Sequence, residues 1–354
     1  MRLRLAILPA VMLAVIVAQP VHAADEISDG QWYHEFLDTA QAHRISQGEA
    51  VTVAVLDTGV EPHPDLAGSV LPGADFTGAG DGRVDKDGHG TAMASLIAAH
   101  GRVRGVAPAA KILPVRVAVI DQTRSGRYSE GIPWAVQQGA KVISISAGGP
   151  GDDILQRQEI QKALAADVVV VAAAGNRPKD NSVLFPASMP GVVAVGAVDK
   201  DGNQADFSVS GQQLAIVAPG VGNSTAALGG KYKVGSGTSD ATAVVAGAVA
   251  LIRAKFPQLK APEVIRRLTA TAIDKGSPGR DPDYGYGVLN LVGALTAELP
   301  AATNSPVRAS SAVAAQPPST PDPVPWWLVV LAVVPIAAIV IVAFLWVRRR
   351  VRAG

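Results

Sequence analysis

Ser239 stands in GTSDATAVVAG (residues 237–247), a small-residue turn that supplies one hydroxyl and then an apolar helix start. Serine is a favoured helix N-cap, so this stretch alone leaves two readings open, a cap and a nucleophile. A nucleophilic serine needs a base for its proton, an acid that holds the base in one tautomer, and donors for the oxyanion. Beyond His22 the chain offers five histidines as bases: His34, His43, His63, His89 and His100. His63 sits between prolines in EPHPDL and reads as structural, and His100 ends a helical stretch, where a cation is favourable. His89 differs, because DKDGHGTAMASLIAA puts glycines on both sides of it and an apolar helix directly after. A loop histidine at a helix start has the same signature. Asp57 closes the apolar run VAVLD, where a buried carboxylate needs a partner, or it makes an Asx turn against Thr58 and Gly59. Asn176 follows VVVVAAAG and either presents a side-chain amide beyond a strand or forms a turn.

Elements that could hold these residues alternate along the chain. VTVAVLD (51–57), AKVISIS (140–146), DVVVVAAAG (167–175) and GVVAVGAV (191–198) are short, continuously apolar, β-branched runs. HGTAMASLIAAH, SEGIPWAVQQGA and DILQRQEIQKALAA have helical spacing between them. Fully apolar strands interleaved with helices predict a mostly parallel α/β sheet covered on both faces. Such sheets place ligands at the carboxyl ends of their strands, where Asp57 and Asn176 fall.

Six segments in order carry a resemblance to the subtilisin-type serine proteases. VAVLDTGVEPHPDL resembles the family's Asp motif, DGHGTAMASLIAA its His motif and VVVVAAAGN its Asn motif. LFPASMPGVVAVGAVD and FSVSGQQLAIVAPG resemble further family segments, and GTSDATAVVAGAVALI resembles the Ser motif. The order Asp57, His89, Asn176, Ser239 is also the subtilisin order. The resemblance implies a three-layer α/β/α fold and an endopeptidase working through an acyl-enzyme. It implies Asp57 as orienter, His89 as general base and then acid, and Ser239 as nucleophile. Asn176 and the Ser239 backbone N–H would bind the oxyanion. SAGG (146–149) resembles the substrate-strand segment, so Ser146, Ala147 and Gly148 would pair with an extended substrate, with residues 173–175 opposite. The chain departs from the usual motifs at Ala92, Ala243 and Val244, and above all at Asp240, directly after the nucleophile. A carboxylate near the oxyanion opposes the charge forming there, so Asp240 is expected to reduce activity or narrow its pH range.

The chain of 354 residues is 48% hydrophobic with a formal net charge of +1. That balance gives no reason to expect a nucleic-acid partner. With no cysteine, disulfides, Cys-ligated zinc and thiol nucleophiles are excluded. Asp81, Asp85 and Asp87 in GAGDGRVDKDG do not make up a full set of oxygen ligands; the segment reads as a solvated acidic loop, and neither metal nor other cofactor is expected.

Both termini read as membrane signals. Arg2 and Arg4, an apolar run and VHA at 21–23 predict a signal peptide over 1–23. Residues 24–50 form an N-terminal extension too short for its own core, 51–299 the peptidase domain, and 300–325 a Pro/Ser/Ala-rich tether. Residues 326–347, about 33 Å long as a helix, predict one C-terminal transmembrane helix with tryptophans at both ends. The arginines of the tail, 348–354, belong on the cytoplasmic side, leaving the catalytic domain extracytoplasmic on a single-pass anchor. This layout resembles the mycosins, membrane-anchored subtilisin-like proteases of actinobacterial type VII secretion systems. That resemblance implies protein or peptide substrates, and components of a type VII complex as partners. Two alternatives stay open: a scaffold that stabilises a membrane secretion complex with weak or dispensable peptidase activity, or a general cell-surface subtilisin.

Overall fold

The computed structural model describes residues 25–119 and 126–300. Seven strands form one parallel sheet: β1 (Thr52–Asp57), β2 (Ala74–Asp75), β3 (Lys111–Arg116), β4 (Val142–Ile145), β5 (Val169–Ala173), β6 (Val193–Val198) and β7 (Ile216–Pro219). Their spatial order is β2-β3-β1-β4-β5-β6-β7. Val53 pairs with Val142 and Val142 with Val169, so β1, β4 and β5 lie side by side in the middle. A separate antiparallel hairpin joins β8 (Asn223–Ala227) to β9 (Lys231–Gly235).

The uninterrupted apolar strands have a simple cause. Successive side chains point to opposite faces, and both faces are buried. In β1, Val53 and Val55 enter one core while Ala54 and Leu56 enter the other. β5 divides in the same way, Val169 and Val171 against Val170 and Ala172. Nine helices among the described residues are α1 (Glu26–Asp29), α2 (Tyr33–Phe36), α3 (Thr39–His43), α4 (His89–Ala98), α5 (Tyr128–Gln137), α6 (Ile154–Ala165), α7 (Thr238–Lys255), α8 (Ala261–Ala270) and α9 (Leu291–Thr296). α5 and α6 cover one face of the sheet; α4 and α7–α9 cover the other, giving three α/β/α layers. α7 is buried almost all round and packs on β4–β7 and α4, as expected of a helix built from Ala, Val and Gly with no polar face.

Residues 25–50 pack on this body. Trp32 Nε1 donates to Val221 O at 2.9 Å, Tyr33 Oη to Arg104 O at 2.7 Å, and Ser224 N to Gly30 O at 2.8 Å. Among the described residues no helix is long and apolar enough to cross a membrane. The expected transmembrane helix (326–347), signal peptide (1–23), tether and tail lie outside the described residues.

Candidate active site

The carboxyl ends of the three central strands converge on one cleft. β1 ends on Asp57, residues 146–148 follow β4, and Asn176 lies just past β5. The N-termini of two helices face them: His89 opens α4 and Ser239 is the second residue of α7. A cleft of about 310 Å³ is lined by Asp87, His89, Ser146, Ala147, Gly148, Ala173, Gly175, Asn176, Lys179, Asp180, Leu184, Thr238 and Ser239. Ala147 and Gly148 also border a second cavity of about 550 Å³ that runs on past Tyr128, Leu155 and Phe185.

Asp57, only 1% exposed, accepts from the Thr58 N–H at 2.8 Å and meets His89 Nδ1 at 2.8 Å through the same Oδ1. A carboxylate accepts only, so Nδ1 carries the proton and Nε2 is left as the free nitrogen. The glycines beside His89 make this approach possible. Gly88 caps the helix with φ 87°, and a Cβ on Gly90 would stand 2.0 Å from Gly59 O. The ring stays 31% exposed. Burial works against its charge, but Asp57, then Asp240 and Asp87, outweigh that and push it up to about 9.

The loop before His89 corrects the solvated acidic reading. Asp81 and Asp87 do reach solvent, whereas Asp85 is 5% exposed and takes five donors. Its Oδ1 accepts from Thr58 Oγ1 (2.9 Å), Asp87 N (3.0 Å) and Gly88 N (2.9 Å), and its Oδ2 from Thr91 N (2.9 Å) and Oγ1 (2.7 Å). Thr58 Oγ1 in turn accepts from Gly90 N at 3.0 Å. Asp85 thus ties the start of α4 to the end of β1. Sequence reasoning took it for part of a solvated loop; the available signal was an Asp four residues ahead of His89 with threonines on either side.

Ser239 is not the cap of α7. Gly237 holds that position without a side-chain bond, and Ser239 sits one residue inside the helix. Its backbone N–H is one of the free donors at the helix start, with no partner among the described residues. Asn176 is fixed by three groups: its N–H donates to Asp180 Oδ2 at 2.8 Å, and its Oδ1 accepts from Thr238 N (3.0 Å) and Thr238 Oγ1 (3.2 Å). With Oδ1 occupied, the Nδ2 donors face the cleft beside Gly237, whose added Cβ would lie 3.7 Å from Nδ2. Thr238 and Asp180 were also unread in the sequence.

One expected contact is absent. Ser239 Oγ donates to Ser146 O at 2.8 Å, and no hydrogen bond joins it to His89 Nε2. Ser146 Oγ returns a bond to Ser239 O at 3.1 Å. Asp240, expected near the oxyanion, does not line the cleft with the donors. Its side chain is 5% exposed, with Oδ2 lying 3.8 Å from a Cβ built on Gly235.

A parallel sheet that delivers an Asp–His pair, a serine at a helix start and unpaired amide donors into one cleft defines a class, the serine hydrolases built on an α/β/α sandwich. The subtilase family model matches residues 48–287, and the chain belongs to that family. It is 40% identical over 255 residues to subtilisin DY of Bacillus licheniformis, covering 69% of this chain and 90% of that protein. Among solved structures it matches MycP1 of Mycobacterium smegmatis with TM-score 0.68 and 27% identity, over 80% of this chain and 88% of that one. It also matches a serine protease MycP1 described as an essential component of the type VII (ESX-1) secretion system, with TM-score 0.69 and 32% identity over 78% and 91%. The protein is a subtilisin-like serine endopeptidase, similar in structure to the mycosins.

Proposed function

We propose that Asp57, His89 and Ser239 form the catalytic triad of an extracytoplasmic, membrane-anchored endopeptidase that processes substrates of a type VII secretion system. One observation carries the catalytic part: the Asp57–His89 pair, the Ser239 hydroxyl and two unpaired N–H donors border the same cleft. In this reading Ser239 Oγ turns from Ser146 O to His89 Nε2. Catalytic hydrogen bonds often tighten only once substrate is bound. A substrate main chain added along residues 146–148 competes for the Ser146 carbonyl and so favours that turn.

His89 then takes the hydroxyl proton as Ser239 Oγ bonds to the scissile carbonyl carbon. The charge on that oxygen is met by Asn176 Nδ2 and the Ser239 N–H, at the positive end of α7. His89 returns the proton to the leaving amine, and water hydrolyses the acyl-enzyme by the same route reversed. Asp57 stabilises the imidazolium throughout.

The type VII role rests on the likeness to the MycP1 structures and on the anchor expected at 326–347. Two assays test the reading. Full-length Ser239→Ala should lose peptide hydrolysis by about 10⁶-fold, and unchanged turnover would overturn the triad. In cells lacking the chain, wild type should restore type VII secretion and substrate cleavage, while Ser239→Ala should restore no cleavage. Restoration of secretion by the Ala variant would make the chain chiefly a scaffold.

A further inference from the structure

We propose that Asp240 is a positioning residue for the peptidase reaction, a second carboxylate that acts on His89 from the nucleophile's helix and sets the pH above which the ring can take a proton. The inference rests on the triad reading above, in which His89 is the base.

Two features set Asp240 apart from an ordinary first-turn acid. A carboxylate in the first turn is normally exposed and stabilised by the helix dipole. Asp240 is instead almost fully buried, and its Oδ2 has no hydrogen-bond partner. A buried acceptor left in that state costs free energy, so a purely structural role is a poor account of it. Its surroundings lead to His89. Lys233 from β9 donates through Nζ to Gly88 O at 3.2 Å, the carbonyl immediately before His89, and the Lys233 charge also bears on Asp240. α4 and α7 pack against each other, and Asp240 and His89 each feel the other's charge.

The charged and titratable groups around these two residues are few. Asp57 from β1, Asp87 from the preceding loop and Asp240 from α7 act on His89. His89 from α4, Lys233 from β9 and, less directly, Tyr33 from α2 face Asp240, with the Asn223 amide of β8 alongside. Burial pushes Asp240 up to about 7, against the pull of His89, Asn223 and Lys233. Its negative charge is also felt at Tyr33, whose hydroxyl is pushed up mainly by burial and then by Asp240. Asp240 therefore ionises around neutral pH and, once ionised, holds the proton on His89. The two groups titrate as a coupled pair. Neutralising Asp240 leaves Asp57 to orient the ring but removes one of the charges that keep it protonated, so the free base appears at lower pH.

The test is the pH dependence of kcat/KM for a fluorogenic peptide, from pH 5 to 10, with full-length wild type, Asp240→Asn and Asp240→Glu. The Asn variant should show its midpoint lowered by about one unit. At pH 7 its rate, relative to its own plateau, should then rise by up to about tenfold. The Glu variant keeps the charge and should keep the wild-type midpoint. Nitrogen-15 histidine NMR of the Ser239→Ala chain, with and without Asp240→Asn, should show the same downward shift in the His89 titration. An unmoved midpoint and an unmoved His89 titration in the Asn variant overturn the proposal. Should wild type show no turnover at all, the triad reading fails, while the NMR titration still decides whether Asp240 acts on His89.

Discussion

The starts of α4 and α7 each present a residue of the proposed triad to the cleft, and each carries a carboxylate that is 5% exposed. At α4, Asp85 is surrounded by five donors and binds helix, loop and strand into one unit. At α7, Asp240 keeps one oxygen without a partner and is pushed up toward neutrality by burial. Equal burial therefore leaves one carboxylate fully partnered and the other with an open oxygen, and the number of donors within reach makes the difference. The Asp85 carboxylate is a structural rivet whose cost of desolvation is met by its bonds. The Asp240 carboxylate is a cost to stability that remains only as long as something else needs its charge. The same contrast separates rigid His89, fixed at Nδ1, from Ser239, whose hydroxyl is turned toward Ser146 O.

The largest break in this comparison should come from Asp85→Ala. It strands three backbone N–H groups and two threonine hydroxyls, and should cost about 3–5 kcal/mol in urea unfolding. A loss below 1 kcal/mol would show that these donors find other partners. Next comes the Asn176 side of α7. Asn176→Ala should lower kcat by about 10²–10³-fold and, by stranding the Thr238 N–H and hydroxyl, cost about 1–3 kcal/mol in stability. Thr238→Val, which removes one of the bonds aiming that amide, should cost about tenfold in kcat with KM nearly constant. Equal losses in both variants would mean that Thr238 does more than aim Asn176.

A last break concerns Asp240 and stability. Its folded-state pKa is raised from the ordinary 3.8 to about 7, so between those values the unfolded chain holds fewer protons than the folded one. Wild-type stability should therefore fall as pH rises from 4 to 7 on account of this group, then level off. Asp240→Asn should remove that slope and gain about 4 kcal/mol relative to wild type at pH 8 compared with pH 4. Parallel stability curves for the two chains would contradict a raised Asp240 pKa.

Much of this site is legible in one dimension because parallel sheets place reactive groups at strand ends. Asp57 and Asn176 sit at the ends of continuous apolar runs, and His89 and Ser239 at the glycine-marked starts of apolar helices. The strands themselves are visible because burial on both faces leaves no polar residue to interrupt them. β3 escaped notice as KILPVR, where a proline and two end charges break the apolar run, and the β8–β9 hairpin is too polar to announce itself. The supporting shell was not legible for a different reason. Asp85, Thr58 and Thr238 look like ordinary turn residues, and their hydrogen-bond partners come from chain segments up to 63 residues away. Asp240 drew attention as an unusual neighbour of Ser239, but its direction depends on the packing of the β8–β9 hairpin. The carboxylate lies against Gly235 and Asn223 of that hairpin and does not line the cleft with Asn176 and Ser239.

Labelling the full-length chain with a fluorophosphonate probe at alkaline pH tests the triad most directly, with the adduct located by peptide mapping. The account predicts a covalent adduct on Ser239 in wild type, none in Ser239→Ala, and strongly slowed labelling in His89→Ala. An adduct on another serine, or labelling that is indifferent to His89, would contradict it.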